Sequence, residues 1–143
     1  MLKRLKKGDK IGIYSPSSPA TVWAYERFVR AKDFLEEKGF IIVEGKLTGQ
    51  SEEYRSGTPK ERAEELNELL RDPNIKMVMS TIGGTNSNSM LPYIDYEAFK
   101  EHPKLIVGIQ MQLQFYYRSM LRRVLQHITD QHLFLRSASL SHL

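Results

Sequence analysis

The stretch Lys104-Leu105-Ile106-Val107-Gly108 decides the fold. Its three apolar residues, which are entered through Pro103 and closed by Gly108, predict a short buried β-strand. In an open α/β sheet, ligands bind and nucleophiles lie at the carboxyl end of such a strand. The six residues that follow, 109–114, offer no nucleophile, acid, base or metal ligand. The predicted strand therefore ends where a reactive side chain is expected, and the residues that follow supply none.

Upstream of this strand, strand-like and helix-like segments alternate along the chain. Apolar, β-branched runs predict strands over 11–14, 40–43, 75–80 and 105–107. Helical spacing and capping signals predict helices over 22–38, 58–71, 90–93 and 95–101. This order predicts an α/β fold with a Rossmann-like, doubly wound parallel sheet flanked by helices.

Two of the predicted helices have well-defined apolar faces. The later one opens with Thr58-Pro59-Lys60-Glu61, which has capping-box spacing and proline at its first position. Its predicted buried residues are Ala63, Leu66, Leu69 and Leu70. The apolar face of the earlier helix comprises Val22, Tyr25, Phe28, Val29, Lys32 and Leu35. Trp23 and Tyr25 are expected to pack in the core or at the helix edge, rather than to form a ligand platform.

Two loops at predicted carboxyl ends of strands are candidate binding elements. The serine-rich stretch Ser15–Pro19 can hydrogen-bond a ligand, or can equally be a rigid turn with a helix cap. The stretch 81–89 contains Gly83-Gly84, and paired glycines let backbone amides point at developing negative charge. The candidate oxyanion and substrate-binding residues are Gly83, Gly84, Thr85 and Asn86. A Gly-Gly turn also occurs in sheets without a ligand, and neither G-x-x-x-x-G-K-[ST] nor G-x-G-x-x-G is present.

Composition excludes several classes of protein. The 143 residues, 41% hydrophobic and 27% charged, suffice for one domain with a core. No stretch is apolar enough for a membrane span or a signal peptide. The absence of cysteine excludes disulfides and fits the cytoplasm. The basic run Lys3–Lys7 is expected to be a solvated terminus, and acidic helices from Glu36 and Glu61 onward argue against nucleic acid. No cofactor and no metal site are expected.

The amino-acid composition of the chain changes after Gly108. All nine glycines, all six prolines and every lysine lie at or before this residue. Five of the six glutamines and three of the four histidines follow it, and Asp130 is the only acid there. His127, His132 and His142 have no spacing typical of a metal site. Residues 1–108 and 109–143 are therefore treated as two parts of the chain.

Residues 1–108 resemble the N-terminal domain of the LD-carboxypeptidase family of serine peptidases, in the branch similar to the microcin immunity protein. The resemblance rests on the combination and order of several short motifs over three quarters of the chain. These motifs are Gly8-Asp9-Lys10-Ile11-Gly12-Ile13, Ser15-Pro16-Ser17-Ser18-Pro19, Arg55-Ser56-Gly57, Lys60-Glu61-Arg62-Ala63-Glu64-Glu65-Leu66-Asn67, Ser80-Thr81-Ile82-Gly83-Gly84-Thr85-Asn86-Ser87-Asn88 and Leu91-Pro92-Tyr93-Ile94-Asp95-Tyr96.

The resemblance implies a Ser-His-Glu hydrolase. Its serine would follow the 105–107 strand in a G-Y-S-D-type turn, its Glu and His would come from a C-terminal β-rich domain, and Gly83 and Gly84 would form the oxyanion site. Here Gln110 stands at the nucleophile position, so no catalytic residue is assigned, and the Glu and His have no counterpart. Implied substrates are murein tetrapeptides or peptidyl-nucleotides, and the parent is a candidate homodimer.

Two hypotheses account for residues 109–143. Leu113, Tyr117, Met120, Leu121, Val124, Leu125 and Ile128 recur at helical spacing, which predicts a basic amphipathic helix. The favoured hypothesis is a frameshift. Gly108 to Gln112 can be written GGT ATT CAG ATG CA, and one added T gives GGT TAT TCA GAT GCA, which encodes G-Y-S-D-A. This hypothesis also explains why glycine, proline and lysine vanish together.

The sequence thus supports two functions. The first is a truncated, inactive LD-carboxypeptidase-like hydrolase, which predicts no acyl-enzyme with a serine-reactive probe and an exposed, aggregation-prone sheet edge. The alternative is a non-catalytic small-molecule-binding or interaction module that uses the Gly83-Gly84 loop, which predicts a stable, monodisperse protein that binds without turnover.

Overall fold

Four parallel strands form the sheet in a computed structural model that describes residues 4–83 and 86–108. The strands are β1 (Lys10–Tyr14), β2 (Ile41–Glu44), β3 (Ile75–Ser80) and β4 (Leu105–Val107). Their spatial order is β2-β1-β3-β4, and every neighbouring pair is parallel. The predicted Rossmann-like parallel sheet is confirmed.

Helices make each of the three crossovers. Helices α1 (Ala20–Trp23) and α2 (Tyr25–Glu37) join β1 to β2, and α3 (Pro59–Arg71) joins β2 to β3. A 3₁₀ helix (Ser87–Tyr93) and α4 (Tyr96–Glu101) join β3 to β4. Because β2 is added on one side of β1 and β3 on the other, right-handed crossovers place α2 and α3 on opposite faces. The strand order therefore changes side between β1 and β3. Open α/β sheets form their binding crevice at such a switch point.

Helix α3 forms as the sequence predicts. The Thr58 hydroxyl accepts a hydrogen bond from the Glu61 N–H, and the Glu61 side chain accepts one from the Thr58 N–H, which completes a capping box. The four predicted apolar residues of its inner face are all buried: Ala63, Leu66, Leu69 and Leu70. Leu69 packs so closely on β1 that a Cβ at Gly12 would lie 3.0 Å from its Cδ2 atom.

The opposite face of the sheet is less completely covered. Its buried residues are Ile11, Ile13 and Met77, against which Phe28 and Leu35 of α2 pack with part of their surface exposed. No residue of α2 is fully buried. The prediction of one helix over 22–38 is wrong, because the backbone breaks at Ala24 (φ −121°, ψ 38°) between α1 and α2.

The break turns several side chains outward that the continuous helical pattern placed on the inner face. Val22 and Tyr25 expose 42% and 62% of their surface, and Trp23 exposes 58%. Trp23 and Tyr25 therefore do not pack in the core, and of the two expected placements only the helix edge fits them. Beyond the break the predicted face is kept, because its remaining residues are all half-buried: Phe28, Val29, Lys32 and Leu35. The error is therefore confined to Val22 and Tyr25, which flank Ala24.

Strand β4 has the predicted bounds but not the predicted burial. It is the outermost strand beside β3, and Leu105 and Val107 expose 42% and 39% of their surface. The apolar composition of this strand would suit burial on both faces, whereas the described residues leave one face partly open. Within the described residues β3 is the one strand paired with β4, and the predicted exposed sheet edge stays a prediction. The 109–143 segment, including the predicted tail helix, lies outside the described residues.

Candidate functional site

The loops that follow β1 and β3 lie side by side at the carboxyl edge of the sheet. The N–H of Thr81 donates to the carbonyl of Tyr14 over 3.0 Å, and the hydroxyls of Ser15 and Thr81 are 3.4 Å apart. The structure therefore brings the two candidate loops, predicted separately, to one crevice at the switch point between β1 and β3.

The Ser15–Pro19 loop is a rigid turn. Ser15 and Ser17 are 0% and 1% exposed, and the Ser17 carbonyl accepts hydrogen bonds from the N–H and hydroxyl of Ser56, at 3.0 and 3.3 Å. Only Ser18 in this loop is half-buried rather than buried. The hydrogen-bonded turn of the second alternative is present, but no side chain caps α1, and ligand binding by this loop stays a prediction.

The turn after β3 is placed in part. Gly83 is buried and Asn86 is half-buried, whereas Gly84 and Thr85 lie outside the described residues. The carbonyl of Asn86 accepts a hydrogen bond from the Ser89 hydroxyl over 2.7 Å at the start of the 3₁₀ helix. The Asn86 side chain does not cap that helix. Gly83 thus sits where β3 enters the crevice, while Gln110 is outside the described residues.

Arg62 of α3 joins three separate segments around the crevice. Its Nε donates to the Gly57 carbonyl over 2.9 Å, and its Nη1 donates to the Pro16 carbonyl and, over 3.3 Å, to that of Asn86. Its Nη2 donates to the Ser89 hydroxyl over 3.2 Å. The residue is 0% exposed, and burial, followed by the nearby charge of Arg55, lowers the pKa of the guanidinium.

Glu65, one helical turn further along α3, binds two backbone amides. Its Oε2 accepts from the Ser15 N–H over 2.9 Å and its Oε1 from the Leu47 N–H over 2.8 Å. Burial raises the pKa of this carboxyl above its ordinary value, against the opposing effect of the two N–H donors, and the charge of Glu68 raises it further. This buried carboxylate therefore holds two backbone N–H groups from loops that are distant from α3 in the sequence.

A separate apolar cavity of about 180 Å³ opens beneath α1 and α2. Its walls include Ile13, Phe28 and Met79, and it reaches the crevice edge at Ser80 and Thr81. The buried Ser80 hydroxyl has no hydrogen-bond partner among the described residues. The cavity shows that the α2 face of the sheet holds space for an apolar group.

The described part of the chain contains neither a metal-binding cluster nor a membrane-spanning helix. Within residues 4–83 and 86–108, no group of three His, Asp or Glu side chains could hold a metal ion. The same residues contain no helix long and apolar enough to cross a bilayer. The tail histidines are not among them.

Comparison with known proteins gives the family. Residues 11–109 match the LD-carboxypeptidase N-terminal domain. The chain belongs to the LD-carboxypeptidase family. The family match covers the sheet, α3 and both crevice loops, and it ends one residue after Gly108.

Three relatives define the position of the chain in this family. A Vibrio cholerae protein described as a carboxypeptidase is 62% identical over 106 residues, or 74% of this chain and 32% of that protein. The Escherichia coli microcin C7 self-immunity protein MccF is 58% identical over 104 residues, 73% of this chain and 30% of MccF. A Bacillus subtilis protein described as a murein peptide carboxypeptidase is 33% identical over 106 residues, 74% of this chain and 32% of that protein.

Solved structures of MccF confirm the fold. The complex of MccF with aspartyl sulfamoyl adenosine superimposes with a TM-score of 0.73 at 57% identity, covering 74% of this chain and 32% of MccF. The chain spans about a third of the length of the relatives that it matches. The LD-carboxypeptidase-type α/β domain, similar to that of the microcin immunity protein, is therefore confirmed.

Sequence reasoning missed the polar residues that hold the crevice together. Arg62, Glu65 and Asn67 lie on the inner face of α3 and are 0–3% exposed, although charged residues on an amphipathic helix normally face water. One signal of their burial was present in the sequence. Arg62 and Glu65 lie four residues, or one helical turn, before Leu66 and Leu69, and therefore share their face of the helix.

Proposed function

We propose that this chain carries the N-terminal domain of an LD-carboxypeptidase-like serine hydrolase, whose full-length form cleaves amide bonds in murein peptides or peptidyl-nucleotides. One observation carries the proposal: the Ser15–Pro19 loop meets Thr81, two residues before Gly83, at the switch point of a sheet whose sequence is 58% identical to MccF over 104 residues. MccF binds aspartyl sulfamoyl adenosine, and another relative is described as a murein peptide carboxypeptidase, which supports both substrate classes.

The proposed chemistry follows from the pairing of β3 with β4. Met79 is opposite Val107, so the next residues, Ser80 and Gly108, reach the same edge of the sheet about 4.8 Å apart. A serine placed just after Gly108 would attack the substrate carbonyl there, and the amides of the turn that begins at Gly83 would bind the developing oxyanion. We assign oxyanion and substrate binding to Gly83, Gly84, Thr85 and Asn86.

The present chain is proposed to be inactive as a hydrolase. Gln110 occupies the nucleophile position, and an amide side chain cannot form an acyl-enzyme. We attribute residues 109–143 to a frameshift after Gly108, which the end of the family match at residue 109 supports. The absence of cysteine makes the cytoplasm the proposed compartment, and a homodimer is proposed for the full-length parent alone.

The decisive test begins with the gene. Genomic DNA from codon 104 onward should contain, one base out of frame, an open frame for G-Y-S-D and a further domain. The frame-restored protein should react with a fluorophosphonate probe and hydrolyse an aspartyl-adenylate analogue or a murein tetrapeptide. Its matched control replaces the restored serine by alanine.

Three results would each overturn part of the proposal. If no alternative frame follows codon 108, the frameshift hypothesis fails. If the 143-residue chain itself labels with the probe or turns over either substrate, its proposed inactivity is wrong. A restored protein that folds but hydrolyses neither substrate would refute the proposed activity.

The cavity beneath α1 and α2 favours a second function, a non-catalytic small-molecule-binding module. Its walls are apolar, and its rim at Ser80 and Thr81 adjoins the Gly83 loop. This alternative expects the 143-residue chain to be monodisperse and to bind a small apolar ligand without turnover. Amide shifts at Met79 and Ser80 on ligand addition would support it, and an aggregating chain without such shifts would exclude it.

A further inference from the structure

Two buried charged residues of α3, Arg62 and Glu65, contact the backbone of the crevice loops instead of solvent or each other's charge. We propose that they are positioning residues: together they set how the Ser15–Pro19 loop lies against the turn that begins at Gly83. We call this pair the α3 clamp. Only the identity of the ligand in the crevice rests on the proposed function, and the placement of the two loops does not.

The clamp holds one short segment at both of its polar groups. The Glu65 carboxylate accepts the N–H of Ser15 over 2.9 Å, and the Arg62 guanidinium donates to the carbonyl of Pro16, the next residue. Arg62 and Glu65 are three residues apart, so their side chains leave the same face of the helix. The Ser15-Pro16 segment is thus fixed in direction as well as in distance from α3.

Arg62 also reaches the other side of the crevice. The same guanidinium donates to the Asn86 carbonyl over 3.3 Å and to the Ser89 hydroxyl over 3.2 Å, while Ser89 itself donates to Asn86 over 2.7 Å. Asn86 is therefore tied to the residue that holds Pro16. A movement of either loop must break a charge-assisted hydrogen bond.

The choice of residue is informative. Every acceptor of Arg62 described above is neutral, and a buried charge carries a desolvation cost that a well-packed apolar residue of similar size would avoid. Stability alone does not call for arginine here. What arginine adds is a planar fork that binds several acceptors at fixed angles, which lysine cannot reproduce. Oxyanion donors need such fixed placement, because they act at about 2.7–3.1 Å.

The test uses the ¹⁵N-labelled 143-residue chain. Arg62→Met and Arg62→Lys are compared with Arg71→Met and Arg71→Lys, since Arg71 lies on the same helix but forms half-exposed ion pairs with Glu64 and Asp95. The readouts are amide chemical shifts and hydrogen exchange at Ser15, Gly83 and Asn86, together with urea midpoints.

We expect the two arginines to differ at the crevice. Losing the Arg62 guanidinium should shift these three amides. The Ser15-Pro16 segment then loses one of its two bonds to α3, so the Ser15 N–H, which still donates to Glu65, should exchange about tenfold faster. Arg62→Lys should not rescue them. The Arg71 variants should stay within about twofold of the original chain. If Arg62→Met unfolds, Glu65→Gln, which replaces one of the two carboxylate acceptors by an amide donor, should still shift Gly83 on the other side of the crevice.

Three outcomes would overturn the proposal. The first is a lower urea midpoint for Arg62→Met with unchanged amide shifts, which is what a purely structural residue gives. The second is full rescue by Arg62→Lys. The third is an unchanged Gly83 shift in Glu65→Gln.

A second measurement separates this inference from the proposed function. Aspartyl sulfamoyl adenosine is titrated into each chain, and Arg62→Met should bind it about tenfold more weakly than Arg71→Met, in line with the lost bond. Absence of binding in the unsubstituted chain would count against the proposed function, and the ligand-free amide measurements then decide the clamp by themselves. Equal binding by Arg62→Met and Arg71→Met would overturn the clamp.

Discussion

Gly45 provides the sharpest test of the packing around Glu65. A Cβ added at this residue would lie 2.6 Å from the Cδ atom of Glu65, closer than real Cβ atoms approach, and the contact is with a carboxylate that is itself held by two amides. Gly45→Ala must therefore displace the carboxylate from the N–H groups of Ser15 and Leu47. At about 1.5–3 kcal/mol for each hydrogen bond to a charged group, the expected loss of unfolding free energy is about 3–6 kcal/mol.

A double-mutant cycle isolates this collision. In a Glu65→Ala background the carboxylate is gone, so Gly45→Ala should add less than about 1 kcal/mol, and the double variant should be about as stable as Glu65→Ala alone. The assay is urea unfolding followed by circular dichroism at 222 nm. Sodium sulfate is added to all samples, because it strengthens apolar burial in weakly stable variants.

The matched control is Gly57→Ala in the same connection. A Cβ there would lie 3.3 Å from the exposed Oε2 atom of Glu61, which also accepts from Thr58 but needs to move by only a few tenths of an ångström. This change should therefore cost less than about 1 kcal/mol in both backgrounds. The reasoning is refuted if Gly45→Ala is equally costly with and without the Glu65 side chain, because the loss would then come from the backbone and not from the carboxylate.

Two further predictions concern Glu65 and β4. Because burial raises the folded-state pKa of Glu65 above its ordinary 4.5, the folded chain holds this proton more tightly than the unfolded chain, so stability should fall as the pH rises from about 4.5 through the raised pKa. Urea midpoints should show this fall, Glu65→Gln should abolish it, and a rise instead would mean that the two N–H bonds outweigh burial. Leu105→Lys, at a 42% exposed position of the edge strand, should reduce aggregation in light scattering with little change in urea midpoint. Leu66→Lys, at a fully buried position, is the contrast, and unchanged scattering for Leu105→Lys would show that aggregation starts elsewhere.

Helix α3 shows what local sequence can predict. Its start is specified by residues three apart, Thr58 and Glu61, and its apolar face by residues within four turns of one another. Both signals are short-range, so a single sequence contains them in full. The strands and their parallel order were likewise predictable, because β-branched runs separated by helices leave few topologies open.

The misses have a common physical origin in long-range partners. Glu65 is buried because of Ser15, which is 50 residues away, and Arg62 because of Pro16, which is 46 residues away. Nothing within α3 signals those acceptors and donors. The break at Ala24 involves neither glycine nor proline, so the usual local markers were absent. The half-exposure of β4 depends on what packs beside it, which its own three residues do not encode.

The strand order β2-β1-β3-β4 also bears on how the domain forms during synthesis. Each new strand after the first pair is added to the outside of the sheet already made: β2 joins β1, then β3 joins β1, and β4 joins β3. Domains fold from the N-terminus as the chain leaves the ribosome. The sheet and the α3 clamp can therefore assemble once residues 1–108 have left the ribosome, before the residues encoded after codon 108 emerge. A change in the gene after that codon would then alter only residues that emerge after this domain has folded.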